Sequence, residues 1–160
     1  MGDRTSVIYE VGGAFGAAEL DQLATILHDC GAWSLEEEER GEHPSEWIRG
    51  AIAEKEALSF ELHDVNYASD DVLEGFLKDH GAHWRKQWSP GGGYGSGQEE
   101  HDPSLDKPIE LDCDFNGDAV LPLATVLVLV SDPLVEPRNW LARWADLSAR
   151  QIPPLVEVSK

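Results

Sequence analysis

Cations are scarce in this chain. Lys and Arg together number 12 against 31 Asp and Glu, a formal net charge of −19. That shortage speaks against direct binding to nucleic acid or to an anionic membrane, because both need a positive surface. Cysteine is nearly absent: there are 2, Cys30 and Cys113. With no sign of secretion they read as free thiols, and Cys30 falls on the apolar side of a predicted helix, where cysteine packs as a small hydrophobe. No Cys-x-x-Cys, no His-Glu-x-x-His and no Gly-x-Ser-x-Gly occurs, which removes the sharpest signatures of zinc sites and of hydrolase nucleophiles. No apolar run approaches the length of a membrane-spanning helix. Met1-Gly2-Asp3-Arg4 lacks the basic and apolar regions of a signal peptide, so the expected location is cytoplasmic.

What is present is enough for a core. The chain has 160 residues, 41% of them hydrophobic, with 6 Trp, which is too apolar for a disordered acidic tail. The expected fold is α+β: one domain over residues 1–160, a mostly antiparallel sheet with helices packed mainly on one face. The stretch from Ala57 to Trp88 has the clearest grammar. Phe60, Leu62 and Val65 alternate with polar residues as in a half-buried strand. Ser69-Asp70-Asp71 opens a helix, with Ser69 as the expected cap. Val72, Leu73, Phe76 and Leu77 repeat at helical spacing, and Gly81 stops it. His83 to Trp88 reads as a strand with inward tryptophans and outward charges, and also as a basic–aromatic patch able to grip a partner.

Around that unit the expectations run in order. Ser6 to Val11 is a strand that Gly12-Gly13 ends. Ala17 to Cys30 is a helix closed by Gly31. Glu36, Glu37, Glu38 and Glu39 form a charge run, solvated or part of an acidic docking face. Pro44-Ser45 starts a helix with an apolar stripe of Trp47, Ile48, Ala51 and Ile52. A flexible glycine-rich loop is expected at about 89–107. Pro108 to Phe115 is a strand, Asn116-Gly117 a tight turn, and Ala119 to Leu121 a short returning arm. Leu123 to Val130 suits a strand by its valines and a helix by the preceding Pro122; a short buried helix is the reading adopted. Trp140, Leu141, Trp144 and Leu147 mark a last helix, and Leu155 to Val158 a final edge strand. Trp47, Phe76, Trp140 and Trp144 are the expected aromatic core.

Few motifs carry chemistry. Gly97 is followed by Gln98, Glu99 and Glu100, whose carboxylates repel phosphate, so the glycines do not make a phosphate loop. Asp112-Cys113-Asp114-Phe115-Asn116-Gly117-Asp118 matches the front half of a calcium loop. The twelfth position, however, is Leu123 where a bidentate glutamate belongs. The histidines fall in unpaired fragments. No metal and no cofactor is expected.

Phe60-Glu61-Leu62-His63-Asp64 leading into Asp71-Val72-Leu73-Glu74 resembles the small acidic inhibitor proteins encoded by phages and plasmids, of anti-restriction or anti-CRISPR type. The resemblance covers Ala57–Gly81 and holds no diagnostic motif, so no functional residue is transferred. It implies a non-enzymatic inhibitor that occupies a cationic groove of a nucleic-acid-binding defence protein. The charge has a suitable magnitude: a globule of this length is about 40 Å across, and duplex DNA of that length carries roughly 23 phosphates. Three segments are candidates for such a partner-binding face: Glu36 to Glu39; Glu99, Glu100 and Asp102; Asp112, Asp114 and Asp118. The alternative is a small metal-dependent enzyme or calcium-binding module built on Asp112–Asp118. Charge of this size also serves solubility alone.

Overall fold

A computed structural model describes residues 4–35, 43–66, 68–90, 95–114, 116, 118–131 and 137–159. Among them a sheet runs in the order β2-β3-β1-β4-β5-β6, with β7 joined to β1. Strand β1 is Arg4–Phe15, β2 Trp33–Ser34, β3 Leu58–Asn66, β4 His83–Trp88, β5 Gly97–His101, β6 Ile109–Asp112 and β7 Leu155–Glu157. The pairings are antiparallel except β1 with β7, which is parallel. This is the α+β fold expected from the sequence.

Three helices cover one face. In α1 (Ala17–Asp29) Leu20, Leu23, Ala24 and Leu27 are buried, as their spacing requires. Ile48 of α2 (Pro44–Glu54) and Leu73, Phe76 and Leu77 of α3 (Asp71–Asp79) join them. They meet Val7, Tyr9 and Val11 of β1, Leu58, Phe60 and Leu62 of β3, and Trp84 of β4 in one cluster. Of the expected aromatic core, Phe76 belongs to this cluster and Trp47 packs partly against it. Trp144 is half-buried and outside it, and the side chain of Trp140 lies outside the described residues.

Several expectations need correction. The cap of α3 is Asp70, whose Oδ1 accepts from Leu73 N–H at 2.9 Å. Ser69 sits one residue too early and instead donates to Glu74 at 3.2 Å. Strand β1 does not stop at Gly12-Gly13. It runs on to Phe15, because Gly13–Phe15 changes partner and pairs with β7. Gly12 permits the crossing: a Cβ there would stand 1.7 Å from the Pro153 carbonyl oxygen.

The segment expected as a long loop contains β5. Its register places Glu100 opposite Arg85 and Glu99 opposite Lys86, so a charged stretch is a strand whose cross-strand partners are opposite charges. Residues 91–94, the glycine-rich start of the expected flexible loop, lie outside the described residues. Beyond β6, Cys113 bridges Ala119 and Asp114 N–H donates to Asp118 O at 2.8 Å, forming the short hairpin. Helices α4 (Leu123–Ser131) and α5 (Pro137–Ser148) follow. α4 is the expected helix but not a buried one: Leu123, Leu127 and Val128 are exposed.

Candidate functional site

The sheet register sorts the charges of β4 and β5 onto two faces. On the helix side lie Trp84, Lys86 and Trp88 with their partners His101, Glu99 and Gly97. On the other side lie His83 and Arg85 with Glu100. Neither face has the outward charges expected for β4: Lys86 is buried and Arg85 is largely covered.

On the far face Glu100 is fully buried. It accepts from His83 Nε2 at 2.8 Å, from Arg85 at 2.8 Å and from Arg150 Nε at 3.1 Å. Arg85 also reaches Glu10 at 3.2 Å and the backbone carbonyl of Arg150, and Arg150 pairs with Asp102. Both carboxylate oxygens thus meet donors, Oε1 from His83 and Arg150 and Oε2 from Arg85, which is the condition for keeping charge in an interior. The network holds the segment after α5 against the sheet. Glu100 therefore cannot meet a partner surface, contrary to the expectation from sequence.

Asp102 belongs to the same network at its rim. Its carboxylate accepts from the Ser104 hydroxyl at 2.6 Å and Ser104 N–H at 2.8 Å. These bonds, the hydroxyl first, together with Arg150, hold its pKa down to about 2. A depressed carboxylate stabilises the fold above its unfolded value near ~4 and loses that contribution as pH falls through the folded value. Asp102→Asn should thus flatten the loss of stability between about pH 4 and pH 2. Urea melts over that range would contradict this if both proteins declined alike.

On the helix side Glu74 of α3 receives Tyr9 OH at 2.8 Å and Lys86 Nζ at 3.0 Å. Burial raises the Tyr9 pKa, with the Glu74 charge adding to it, so the phenol stays a donor. Lys86 also approaches Glu99 at 3.6 Å, and His101 bonds Glu99 at 2.6 Å. Beside this row opens a cavity of about 550 Å³. Lys86, Trp88, Glu99, Glu110 and Asp112 line it. The Trp88 ring rests on Gly97, where a Cβ would stand 2.5 Å from Cζ2, and its Nε1 donates to Gly95 O at 3.1 Å. Both fix the indole at the cavity wall. Glu110 and Asp112 are exposed, two residues apart on an edge strand, and among the described residues no ion pair engages them.

The structure thus brings Glu99 and Asp112 of the expected set to one cavity. Asp114 is spent on its hairpin: Oδ1 accepts from Asn116 N–H at 2.8 Å and Asp118 N–H at 3.0 Å. Asp118 is exposed. Glu36, Glu37, Glu38 and Glu39 lie outside the described residues. Sequence reasoning missed Glu110 and Trp88 as cavity residues. Their signal was available in part, since Glu110 and Asp112 alternate with Ile109 and Leu111.

Other chemistry finds little support. Ser6 Oγ lies 2.9 Å from His63 Nδ1, and Glu61 lies 3.6 Å from that same nitrogen. A relay needs the hydroxyl and the carboxylate on opposite ring nitrogens, so this trio is not arranged for nucleophilic catalysis. Burial pushes the Cys30 thiol up to about 11 and raises Cys113 as well, against thiolate formation. Among the described residues no three His, Cys, Asp or Glu side chains are grouped to hold a metal ion. No described helix is long and apolar enough to cross a membrane. Comparison with family models, curated proteins and solved structures gives no match.

Proposed function

We propose that this chain is a non-enzymatic acidic binding protein that occupies a cationic surface of a partner protein. An inhibitor of a nucleic-acid-binding defence protein fits that description, since such a protein offers the required groove. The observation that carries the reading is the cavity beside β6. Glu110 and Asp112 present uncompensated carboxylates there, next to the fixed Trp88 ring. An inserted Lys or Arg side chain would gain ion pairs with the acids and a cation–π contact with the indole. The formal −19 steers such a partner inward from a distance. Lys86 already compensates Glu99, so the edge-strand pair is the part left for a partner.

The test is a labelled oligo-arginine peptide titrated against three proteins at rising salt. Affinity should fall steeply with salt. Glu110→Lys with Asp112→Lys should weaken binding by about tenfold or more, a loss of about 1.4 kcal/mol or more. Reversal at Asp21 and Asp29, exposed on α1, makes the same change in net charge and should cost much less. All melting temperatures should stay close, because exposed substitutions change stability by about 0.5 kcal/mol or less. Equal losses from both double reversals would reduce the effect to bulk charge and end the cavity reading.

A further inference from the structure

Helix α4 is almost wholly aliphatic in sequence: Leu123-Ala124-Thr125-Val126-Leu127-Val128-Leu129-Val130-Ser131 carries no charge. A helix of that composition belongs in an interior. Yet the main hydrophobic cluster includes no described residue of α4, and Leu123 is 71%, Val128 67% and Leu127 55% exposed. Val120, just before the helix, is exposed too. Leu123 and Leu127 lie one turn apart, and exposed apolar surface of this kind marks an interaction site.

We propose that α4 is a docking platform for a basic amphipathic helix of the partner protein, a proposal that rests on the acidic-binding reading above. The occupant follows from charge complementarity. The platform itself is uncharged, but the hairpin leading into it carries exposed Asp112 and Asp118. Val120 N–H donates to Asp112 O at 2.8 Å and closes the hairpin, and only Leu121 and Pro122 separate it from α4, whose first turn begins with Val126 N–H to Pro122 O at 3.1 Å. From Asp118 to Leu123 the chain spans at most about 18 Å. A helix of about 12 residues has that length. One such partner helix can therefore lay an apolar stripe on Leu123 and Leu127, one turn apart, and set Lys or Arg beside the aspartates. A second copy of this chain brings another −19 and an anionic membrane brings like charge, so both are repelled where a basic helix is drawn in.

Three labelled peptides of equal length test this: an amphipathic Leu/Lys helix, a Lys/Ser peptide without the apolar stripe, and a Leu/Glu helix. The Leu/Lys peptide should bind tightest. Leu123→Glu with Leu127→Glu should weaken it at least about tenfold. That variant adds negative charge, so purely electrostatic binding would tighten instead, and the sign of the change separates the two. Leu123→Ser with Leu127→Ser keeps the charge and should also weaken binding, with far-ultraviolet circular dichroism confirming the fold of both. Unchanged or tighter Leu/Lys binding by both variants overturns the platform; if Glu110→Lys with Asp112→Lys still weakens the Lys/Ser peptide, the acidic-binding reading survives that failure. Leu/Glu binding as tight as Leu/Lys overturns the basic partner. Sedimentation showing a wild-type dimer that the Ser variant dissociates assigns α4 to self-association and likewise overturns the proposal.

Discussion

Glu100→Gln is expected to destabilise the fold by about 3–5 kcal/mol, the range for breaking a buried ion pair from one side. The substitution is nearly isosteric, so it leaves no cavity. What it removes is the fully buried charge that the partly exposed His83, Arg85 and Arg150 share. Arg85 keeps Glu10 at 3.2 Å, but its Nε has no hydrogen-bond partner and would sit beside a neutral amide. Arg150 keeps Asp102. For a chain of this size the melting temperature should drop by roughly 6–20 °C, at about 2–4 °C per kcal/mol. Glu110→Gln, one strand away and exposed, is the control and should change stability by about 0.5 kcal/mol or less. A Glu100→Gln protein that melts with the control would mean that water already reaches the cluster.

Adjacent residues thus have opposite fates. Glu99 faces a cavity and Glu100 the interior, and nothing in the pair Glu-Glu separates them until β5 is placed in register with β4. This is why the strand was hidden. Helices α1, α2 and α3 were legible because Leu20, Leu23 and Leu27, or Leu73, Phe76 and Leu77, repeat at the period of the helix. β3 was legible because Phe60 and Leu62 alternate with polar residues. β5 reads Gly97-Gln98-Glu99-Glu100-His101 and offers no apolar alternation, since its inward side chains are held by charge. A cue did exist: Arg85-Lys86 and Glu99-Glu100 flank the Pro90-Gly91-Gly92-Gly93 stretch of the sequence at a spacing that lets opposite signs face each other. β7 was legible as a strand, expected over Leu155 to Val158 and observed over Leu155–Glu157, but its partner was not. Its parallel partner lies some 140 residues earlier in the chain, and no local pattern reports a contact of that range. The candidate site shares both difficulties. Trp88, Glu99, Glu110 and Asp112 come from three strands, and only register brings them to one cavity.

Gly12→Ala is expected to cost about 2–6 kcal/mol, summing an overpacking cost of about 1–3 with partial loss of a buried leucine worth about 1.5–3. The new Cβ would stand 1.7 Å from the Pro153 carbonyl oxygen and 2.8 Å from its carbon. Both are backbone atoms, so no side-chain rotation relieves the clash and the segment itself must lift. With it would go the Gly13 N–H bond to Pro154 O at 3.1 Å, the Leu155 N–H bond to Glu56 O at 2.9 Å, and the fully buried Leu155 side chain. Limited trypsin digestion adds a direct readout, since cleavage after Arg150 requires that segment to leave the sheet. Cleavage should accelerate in Gly12→Ala while sites in α2 and β4 stay protected under native conditions. Arg150 anchors the same segment to Glu100, and Pro153 seats it on Gly12 only three residues later. Two substitutions that free one segment remove shared interactions, so the Gly12→Ala, Glu100→Gln double variant should fall short of the summed losses by more than about 0.5 kcal/mol. Strict additivity would show that the network and the β1–β7 crossing are independent, and that the buried charges hold β4 to β5 without holding the end of the chain.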